Sequence, residues 1–185
     1  ALEAALTRLA ADVEAAVRDG VNIAVLSDRA GEGEVPVPSL LAVGAVHNHL
    51  IRAGLRTFAD LVVECGDAVS AHDFAALVGY SASGIYPYMA HDCIRSMAER
   101  GDLSASDGRA LTADEAVANY NRAAVAGIVS IMSKMGISTA QSYHSAQIFE
   151  AVGLSDEVVD RYFTGTVSRV GGLTLADLQR DQDAR

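Results

Sequence analysis

Residues 2–17 place apolar side chains at helical spacing, which predicts an amphipathic helix that the Asp-Gly pair at 19–20 ends. Residues 21–27 (VNIAVLS) form an almost wholly apolar run between two breakers. Such a run is too short for a helix, so we predict a strand that is buried on both faces. A proline-containing loop over 30–38 and a helix over 39–53 are predicted next.

The same alternation continues to the end of the chain. Three further strands are predicted at 60–65, 84–88 and 137–142. The predicted helices begin at Ser70, cover 90–100, run from Thr112 to Gly136, cover 146–152, and begin at Ser155 and near Thr174, with a Gly/Ser/Thr loop over 164–172.

Alternating strands and helices of this kind are typical of βα units around a parallel sheet. We therefore predict an α/β fold with at least four parallel strands in one sheet and helices outside it. Eight units would close a (β/α) barrel, so four give a partial, rudimentary TIM-barrel-like domain or an open sheet. No internal linker divides the chain, and residues 1–185 are predicted to form a single domain.

Composition narrows the classes of partner. The chain carries a net charge of -10, which argues against nucleic-acid and anionic-membrane partners. No apolar run approaches the ~20 residues of a membrane helix. We interpret Cys65 and Cys93 as buried free thiols and expect a cytoplasmic protein. The first residue, Ala1, indicates a processed or truncated chain.

Candidate site residues are few. His47 and His49 are two apart on a predicted helix and face opposite ways, so they cannot chelate one metal, and we interpret His47 as a hydrogen-bonded core or interface residue. Asp28, Arg29 and Glu64 lie at the carboxyl ends of predicted strands, where ligands bind in parallel α/β folds. They indicate either a ligand or domain contact, or a local ion pair that fixes a loop.

Phosphate-binding signals are weak. Residues 31–33 (GEG) lack a third glycine and add acidic charge, and no P-loop motif is present. Residues 164–169 could cradle an anion with hydroxyls, amides and one arginine, or dock against another domain. We assign no catalytic, cofactor-binding or metal-ligating residue.

Residues 133–172 (SKMGISTAQSYHSAQIFEAVGLSDEVVDRYFTGTVSRVGG) resemble a segment of glutamate synthase large (alpha) subunits. The resemblance is colinear along nearly the whole chain. It also includes 22–29 (NIAVLSDR), 38–56 (PSLLAVGAVHNHLIRAGLR), 61–68 (LVVECGDA), 78–90 (VGYSASGIYPYMA) and 118–136 (ANYNRAAVAGIVSIMSKMG).

The resemblance implies the central α/β domain of that enzyme, a reduced form of the FMN-linked oxidoreductase barrel. In the full-length enzyme a glutaminase domain precedes it, and an FMN-binding barrel with an iron–sulfur cluster follows. There ammonia from glutamine and 2-oxoglutarate become glutamate. The implied partners are these two domains, and a small NADPH-oxidising subunit is a further candidate. No cofactor is expected in this fragment, and the central domain is expected to extend upstream of Ala1 and beyond the C-terminus.

Several residues depart from the family pattern. Asn48 replaces a histidine, Cys65 a threonine or serine, and Ser81 a glycine. Residues 85–86 (IY) replace Val-Asn, and 144–145 (HS) replace an Arg/Cys-Gly pair. None of these positions is catalytic in the family, because the catalytic residues lie outside this region.

We interpret the chain as a structural connector that holds the glutaminase and synthase sites at a fixed separation and is inactive alone. The alternatives are a stand-alone small FMN-binding barrel oxidoreductase and a free-standing module that binds another synthase subunit. The residues from 162 to 172 are predicted to be partly exposed for docking, with Phe163 only partly buried.

Overall fold

The computed structural model of the protein describes residues 2–31 and 33–184. The strands are β1 (Ile23–Ser27), β2 (Asp60–Glu64), β3 (Gly84–Tyr86), β4 (Glu150–Leu154) and β5 (Val167–Leu173). The helices are α1 (Leu2–Arg18), α2 (Ser39–Arg52), α3 (Ala71–Gly79), α4 (Tyr88–Glu99), α5 (Ala113–Lys134), α6 (Ala140–Tyr143), α7 (Asp156–Tyr162) and α8 (Leu175–Asp183).

The first three strands form one parallel sheet in the order β1-β2-β3. Ser27 pairs with Glu64, and Glu64 pairs with Tyr86, so the three carboxyl ends lie side by side. Strands β4 and β5 form a separate parallel pair. The predicted α/β class with parallel βα units is confirmed, and the described strands form small sheets with no closed barrel.

Helix α2 lies between the two clusters of buried side chains. One side of it packs on the sheet, where Val46 and Leu50 are buried with Leu61 and Val63 of β2 and with Phe74 of α3. The second cluster joins α2 to α1 and α7 through the buried side chains of Leu6, Leu41, Val158, Val159 and Tyr162. The helix is therefore apolar on most of its circumference, as a central helix must be.

Helix starts follow the predicted capping residues. Ser70 and Asp73 form a reciprocal capping box at α3, and Thr112 and Glu115 form another at α5. Each pair satisfies two backbone N–H groups that the first turn leaves free, which stabilises a helix by about 1 kcal/mol. At the other end of α5, Gly136 takes a left-handed φ of 71°, which confirms its role in ending the helix.

The predicted fourth strand at 137–142 is wrong. Gly136 turns the chain, and Thr139 caps the short helix α6, whose last residue Tyr143 is fully buried. The described strands therefore form sheets of three and two, not one sheet of four.

The predicted helix at 146–152 and loop at 164–172 are also wrong. Ser145 and Gln147 have positive φ values of 58° and 53°, and a right-handed helix cannot run through such residues. The chain instead extends into β4, which pairs with β5 inside the predicted loop. Glycines in both strands weaken the strand signal in the sequence.

Candidate functional site

One face of the three-stranded sheet is uncovered in the described part of the chain. Ala24 and Leu26 of β1 are buried, whereas the alternate residues Ile23 and Val25 are 58% and 60% exposed. The prediction that β1 is buried on both faces is therefore wrong for the described residues. This is unusual, because parallel sheets are almost always covered on both sides.

We call this surface the open face. Side chains of paired residues in a parallel sheet point to the same side, so its members follow from the register. They are Ile23, Val25 and Ser27 of β1, Asp60, Val62 and Glu64 of β2, and Gly84 and Tyr86 of β3. Val25 and Val62 occupy its middle row, and each end row combines polar side chains with one large apolar or aromatic side chain, Ile23 or Tyr86. An apolar centre with polar groups around it is typical of protein interfaces.

The carboxyl end of the open face brings together Arg29 and Glu64, which the sequence placed separately at strand ends. The Ser27 hydroxyl donates to Glu64 Oε2 over 2.6 Å, and Arg29 Nε donates to Glu64 Oε1 over 2.8 Å. The Arg29 guanidinium lies over the Tyr88 ring, 3.7 Å from its centre. The hydrogen bonds from Ser27 and Arg29 lower the pKa of Glu64. Glu64 is therefore held as a carboxylate, which makes it a poor general base.

Asp28 fixes the adjoining loop. Its Oδ2 accepts a 2.7 Å hydrogen bond from the Gly66 backbone N–H. Together with the Arg29–Glu64 pair, this geometry favours the local, loop-fixing interpretation of the strand-end charges over a ligand site. A cavity of about 470 Å³ adjoins Asp28 and Arg29, between β1, α1 and the start of α2.

His47 connects four elements at the amino end of the sheet. Its Nδ1 accepts from Arg56 Nε at 2.9 Å, so its proton lies on Nε2, which is 3.0 Å from Ser145 Oγ. Ser145 Oγ is in turn 2.8 Å from Ser81 Oγ. Burial lowers the pKa of His47 to about 4, and the ring is neutral at pH 7. Because Nε2 already carries a proton, His47 cannot deprotonate Ser145, and the pair is no nucleophilic dyad.

The two predicted histidines do face opposite ways. His49 Nε2 lies 2.5 Å from Glu14 Oε2 of α1, whereas His47 points to the sheet and the loop after α6. The prediction that His47 is a hydrogen-bonded core residue is confirmed.

Two of the family departures acquire a structural role here. Ser81 and Ser145 both have positive φ, 77° and 58°, where glycine is the favoured residue. Their hydroxyls form a hydrogen bond with each other. This bond stabilises the contact, whereas the positive φ of each serine destabilises it locally. The sequence marked both as departures from glycine but offered no sign that they touch.

The predicted exposure of Phe163 is wrong. Phe163 is only 7% exposed, because Gly44 of α2 lets the end of α7 approach closely. A Cβ at Gly44 would clash with the Tyr162 carbonyl oxygen. Asn48 adds a bridge, since its Nδ2 donates to the carbonyl oxygens of Gly44 and Tyr162, each over 2.9 Å. Tyr162 of the predicted docking stretch is also buried, at 5%, whereas Val167 and Val170 of β5 are exposed.

The weak anion-binding candidates already have partners. Arg169 lies 3.3 Å from both carboxylate oxygens of Glu150, and Thr166 Oγ1 is 2.7 Å from the Tyr80 hydroxyl. In the glycine-rich loop, the Gly31 N–H donates to Glu34 Oε2 over 2.9 Å. This amide already has a carboxylate partner and is not free to bind a phosphate. Glu32 of the same loop lies outside the described residues.

The cysteines differ from each other. Cys65 is fully buried, and burial raises the pKa of its thiol to about 11. Cys93 is exposed, so the prediction that both are buried is wrong for Cys93. Within residues 2–31 and 33–184, no group of three or more His, Cys, Asp or Glu side chains could hold a metal ion. In the same ranges, no helix combines the length and apolarity needed to cross a membrane.

Comparison with known proteins agrees with the resemblance noted from the residues. A family model described as glutamate synthase central domain matches residues 1–155. The glutamate synthase [NADPH] large chain of Bacillus subtilis is 45% identical over 185 residues, covering 100% of this chain and 12% of the relative. The ferredoxin-dependent glutamate synthase 2 of Synechocystis sp. is 48% identical, covering 96% of this chain and 12% of the relative.

A more distant relative extends the comparison to fungi. The glutamate synthase [NADH] of Saccharomyces cerevisiae is 42% identical over 95% of this chain and 8% of the relative. The chain thus spans about an eighth or less of the length of these relatives. With a family model over most of its length and full-length identity above 40%, the chain belongs to the glutamate synthase family, as its central domain.

Proposed function

We propose that this chain is a structural connector, and that residues 1–185 form one domain cut from a longer cytoplasmic glutamate synthase polypeptide. In that polypeptide it holds the glutaminase and FMN-binding domains in register and catalyses no step itself. The observation that carries the proposal is the open face. A parallel sheet that exposes Ile23, Val25 and Tyr86 on one face presents the kind of apolar surface that another domain covers.

The activity of the whole enzyme gives rigid spacing a purpose. The relatives are named as glutamate synthases that use NADPH, NADH or ferredoxin. Their family converts glutamine and 2-oxoglutarate to two glutamates, so ammonia must pass between two sites without escape. Fixed positions of the two sites serve that transfer. In this chain, the Asn48 bridge and the two buried clusters around α2 supply the rigidity.

The cofactors of the whole enzyme do not fit the residues of this chain. A cysteine-ligated iron–sulfur cluster needs three or four thiolates, but the sequence has two cysteines, and burial raises the pKa of Cys65. The phosphate of FMN needs free amides or a free cation at the carboxyl end of the strands. There Gly66 N–H is bonded to Asp28 and Arg29 is paired with Glu64. These contacts weigh against the alternative of a stand-alone FMN oxidoreductase.

The test compares two equally exposed valines. Val25 lies on the open face and Val125 on α5, and they are 60% and 59% exposed. Val25→Lys and Val125→Lys should each change the stability of the 185-residue chain by less than about 1 kcal/mol. In the full-length enzyme, Val25→Lys should place an unpaired charge in a domain interface. Glutamine consumption should then exceed glutamate formation, while Val125→Lys keeps the normal ratio.

Two results would contradict the proposal. One is a full-length Val25→Lys enzyme whose glutamine consumption still matches glutamate formation. The other is flavin absorbance that copurifies with the 185-residue chain in stoichiometric amount, which would favour the oxidoreductase alternative.

A further inference from the structure

A cavity of about 540 Å³ lies at the amino end of the sheet, opposite the strand ends discussed above. We call it the amino-end pocket and define it by Asn22, Arg56, Phe58, Asp60, Ser83 and His144, which line it. It combines one guanidinium, one carboxylate and neutral polar groups with the exposed ring of Phe58. Asp60 and Ile23 border both the pocket and the open face, and the connector role makes no use of the other lining residues.

Arg56 uses only part of its donor capacity inside the protein. Its Nε donates to His47 Nδ1 over 2.9 Å, its Nη1 to the Ala59 carbonyl over 2.5 Å and its Nη2 to the Ser81 carbonyl over 2.8 Å. A guanidinium has five N–H groups, so one remains on each terminal nitrogen. All three acceptors are neutral.

The charge of Arg56 therefore has no counterion in direct contact, and the carboxylate of Asp60 acts on it from a longer distance. Within the described residues, no carboxylate oxygen lies within 4.0 Å of its guanidinium, although nine other ion pairs meet that limit. Asp60 lines the same pocket, and its Oδ1 accepts from the Ser83 hydroxyl over 2.8 Å. Arg56 is half-buried, and burial lowers its pKa. A partly desolvated cation of this kind is stabilised by an anion.

We propose that the amino-end pocket binds a carboxylate, which the two remaining N–H groups of Arg56 hold. Two N–H groups in one plane match the two oxygens of a carboxylate. Asp60 faces the same space and repels a doubly charged phosphate more strongly than a singly charged carboxylate. Phe58 and Ile23, 65% and 58% exposed at the mouth, offer contact to an aliphatic stem behind the carboxylate.

The chemistry fits either a free carboxylic acid or an Asp or Glu side chain of an adjoining protein segment, and the experiment separates the two. The ¹⁵N–¹H signal of Arg56 Nε is followed in the 185-residue chain during titration with acetate, succinate or chloride at constant ionic strength. A single solvent-accessible Arg–carboxylate contact should give a saturable shift with acetate and a Kd on the order of millimolar. Chloride should give none.

Removing the negative charge of Asp60 provides a variant that gains affinity and does not depend on disrupting Arg56. Asp60→Asn keeps the acceptor for Ser83 and should bind acetate about threefold or more tightly. Asp92→Asn is the matched control, because Asp92 lies on α4 just after the carboxyl end of β3, and it should leave the Kd unchanged.

Each outcome of the titration either supports the proposed carboxylate site or overturns it. Equal Kd values for acetate and succinate support recognition of one carboxylate, as an Asp or Glu side chain presents it. Succinate binding about tenfold tighter supports a free dicarboxylate. The proposal is overturned by no saturable shift up to about 100 mM acetate, by an equal response to chloride, or by Asp60→Asn binding no tighter than Asp92→Asn.

Discussion

The two faces of the β1–β3 sheet are built from the same strands, yet they differ in exposure. Leu61 and Val63 of β2 are at most 1% exposed beneath α2 and α3, whereas Ile23 and Val25 of β1 remain more than half exposed on the open face. Apolar side chains on the covered face stabilise the fold. Those on the open face contribute little until another surface covers them, so we relate them to docking.

The largest expected effect separates two valines on neighbouring strands. Val63→Ala should lower the free energy of unfolding by about 2–3 kcal/mol, because it leaves a cavity in the packed cluster. Val25→Ala should lower it by no more than about 0.5 kcal/mol, because the side chain is solvated. Urea unfolding of both variants measures the difference. Equal losses would show that the open face contributes to stability as the covered face does.

The pH dependence of the free energy of unfolding tests whether His47 of α2 is buried as a neutral ring. His47 has a pKa of about 4 in the folded chain, below its ordinary value of 6.5. Between these values the unfolded chain binds the extra proton and the folded chain does not, so stability is complete above pH 6.5 and falls as the pH drops toward 4. The expected loss is on the order of 2 kcal/mol.

Urea midpoints at pH 7 and pH 5 measure this loss, and His47→Gln serves as the control. Glutamine keeps a donor for Ser145 but does not titrate, so the variant should lose most of the stability difference between the two pH values. A wild-type midpoint that does not change over this range would contradict the buried neutral histidine.

The smallest expected effect concerns the serine pair that joins the sheet to the loop after α6. Ser81→Gly relieves a positive φ but removes the hydroxyl that bonds to Ser145. The two contributions, each about 1 kcal/mol, oppose each other, and the net change should stay within about 0.5 kcal/mol. A double-mutant cycle with Ser145→Gly should show a coupling of about 0.5–1 kcal/mol. Strict additivity would mean that the hydrogen bond contributes nothing.

Local signals predicted much of the fold. Ser70, Thr112, Ser155 and Thr174 each cap the helix expected from the sequence, because a cap acts through backbone groups only two or three residues away. The strands β1, β2 and β3 were also predicted within one or two residues at each end, since each is a short run between strong breakers.

The wrong predictions concern segments whose conformation depends on contacts with residues far away in the sequence. Residues 146–152 favoured a helix until the positive φ of Ser145 and Gln147 excluded it, and Ser145 lies against His47, which is 98 positions away in sequence. The sequence predicts a partly exposed Phe163, but the space left by Gly44 of α2 allows its ring to be buried. Both contacts join residues far apart in the chain, so the hydrophobic periodicity of a short segment cannot predict them.

The candidate surfaces, too, could be predicted from the sequence only in part. The sequence placed Arg29 and Glu64 at strand ends, and the structure joined them through the parallel register of β1 and β2. Neither the open face nor the unpaired charge of Arg56 could be predicted from the sequence. The continuous apolar run of β1 predicts burial on both faces, and only the packed structure shows that Ile23 and Val25 stay exposed.

The sequence by itself determined the helix caps, the first three strands, the acidic charge and the family, all of which depend on neighbouring residues or on a long colinear match. The tertiary structure decided which sheet face stays open, which tautomer His47 adopts and which partner β4 pairs with. Burial, proton position and strand pairing arise from contacts between residues far apart in the chain, and such contacts exist only after the elements have packed.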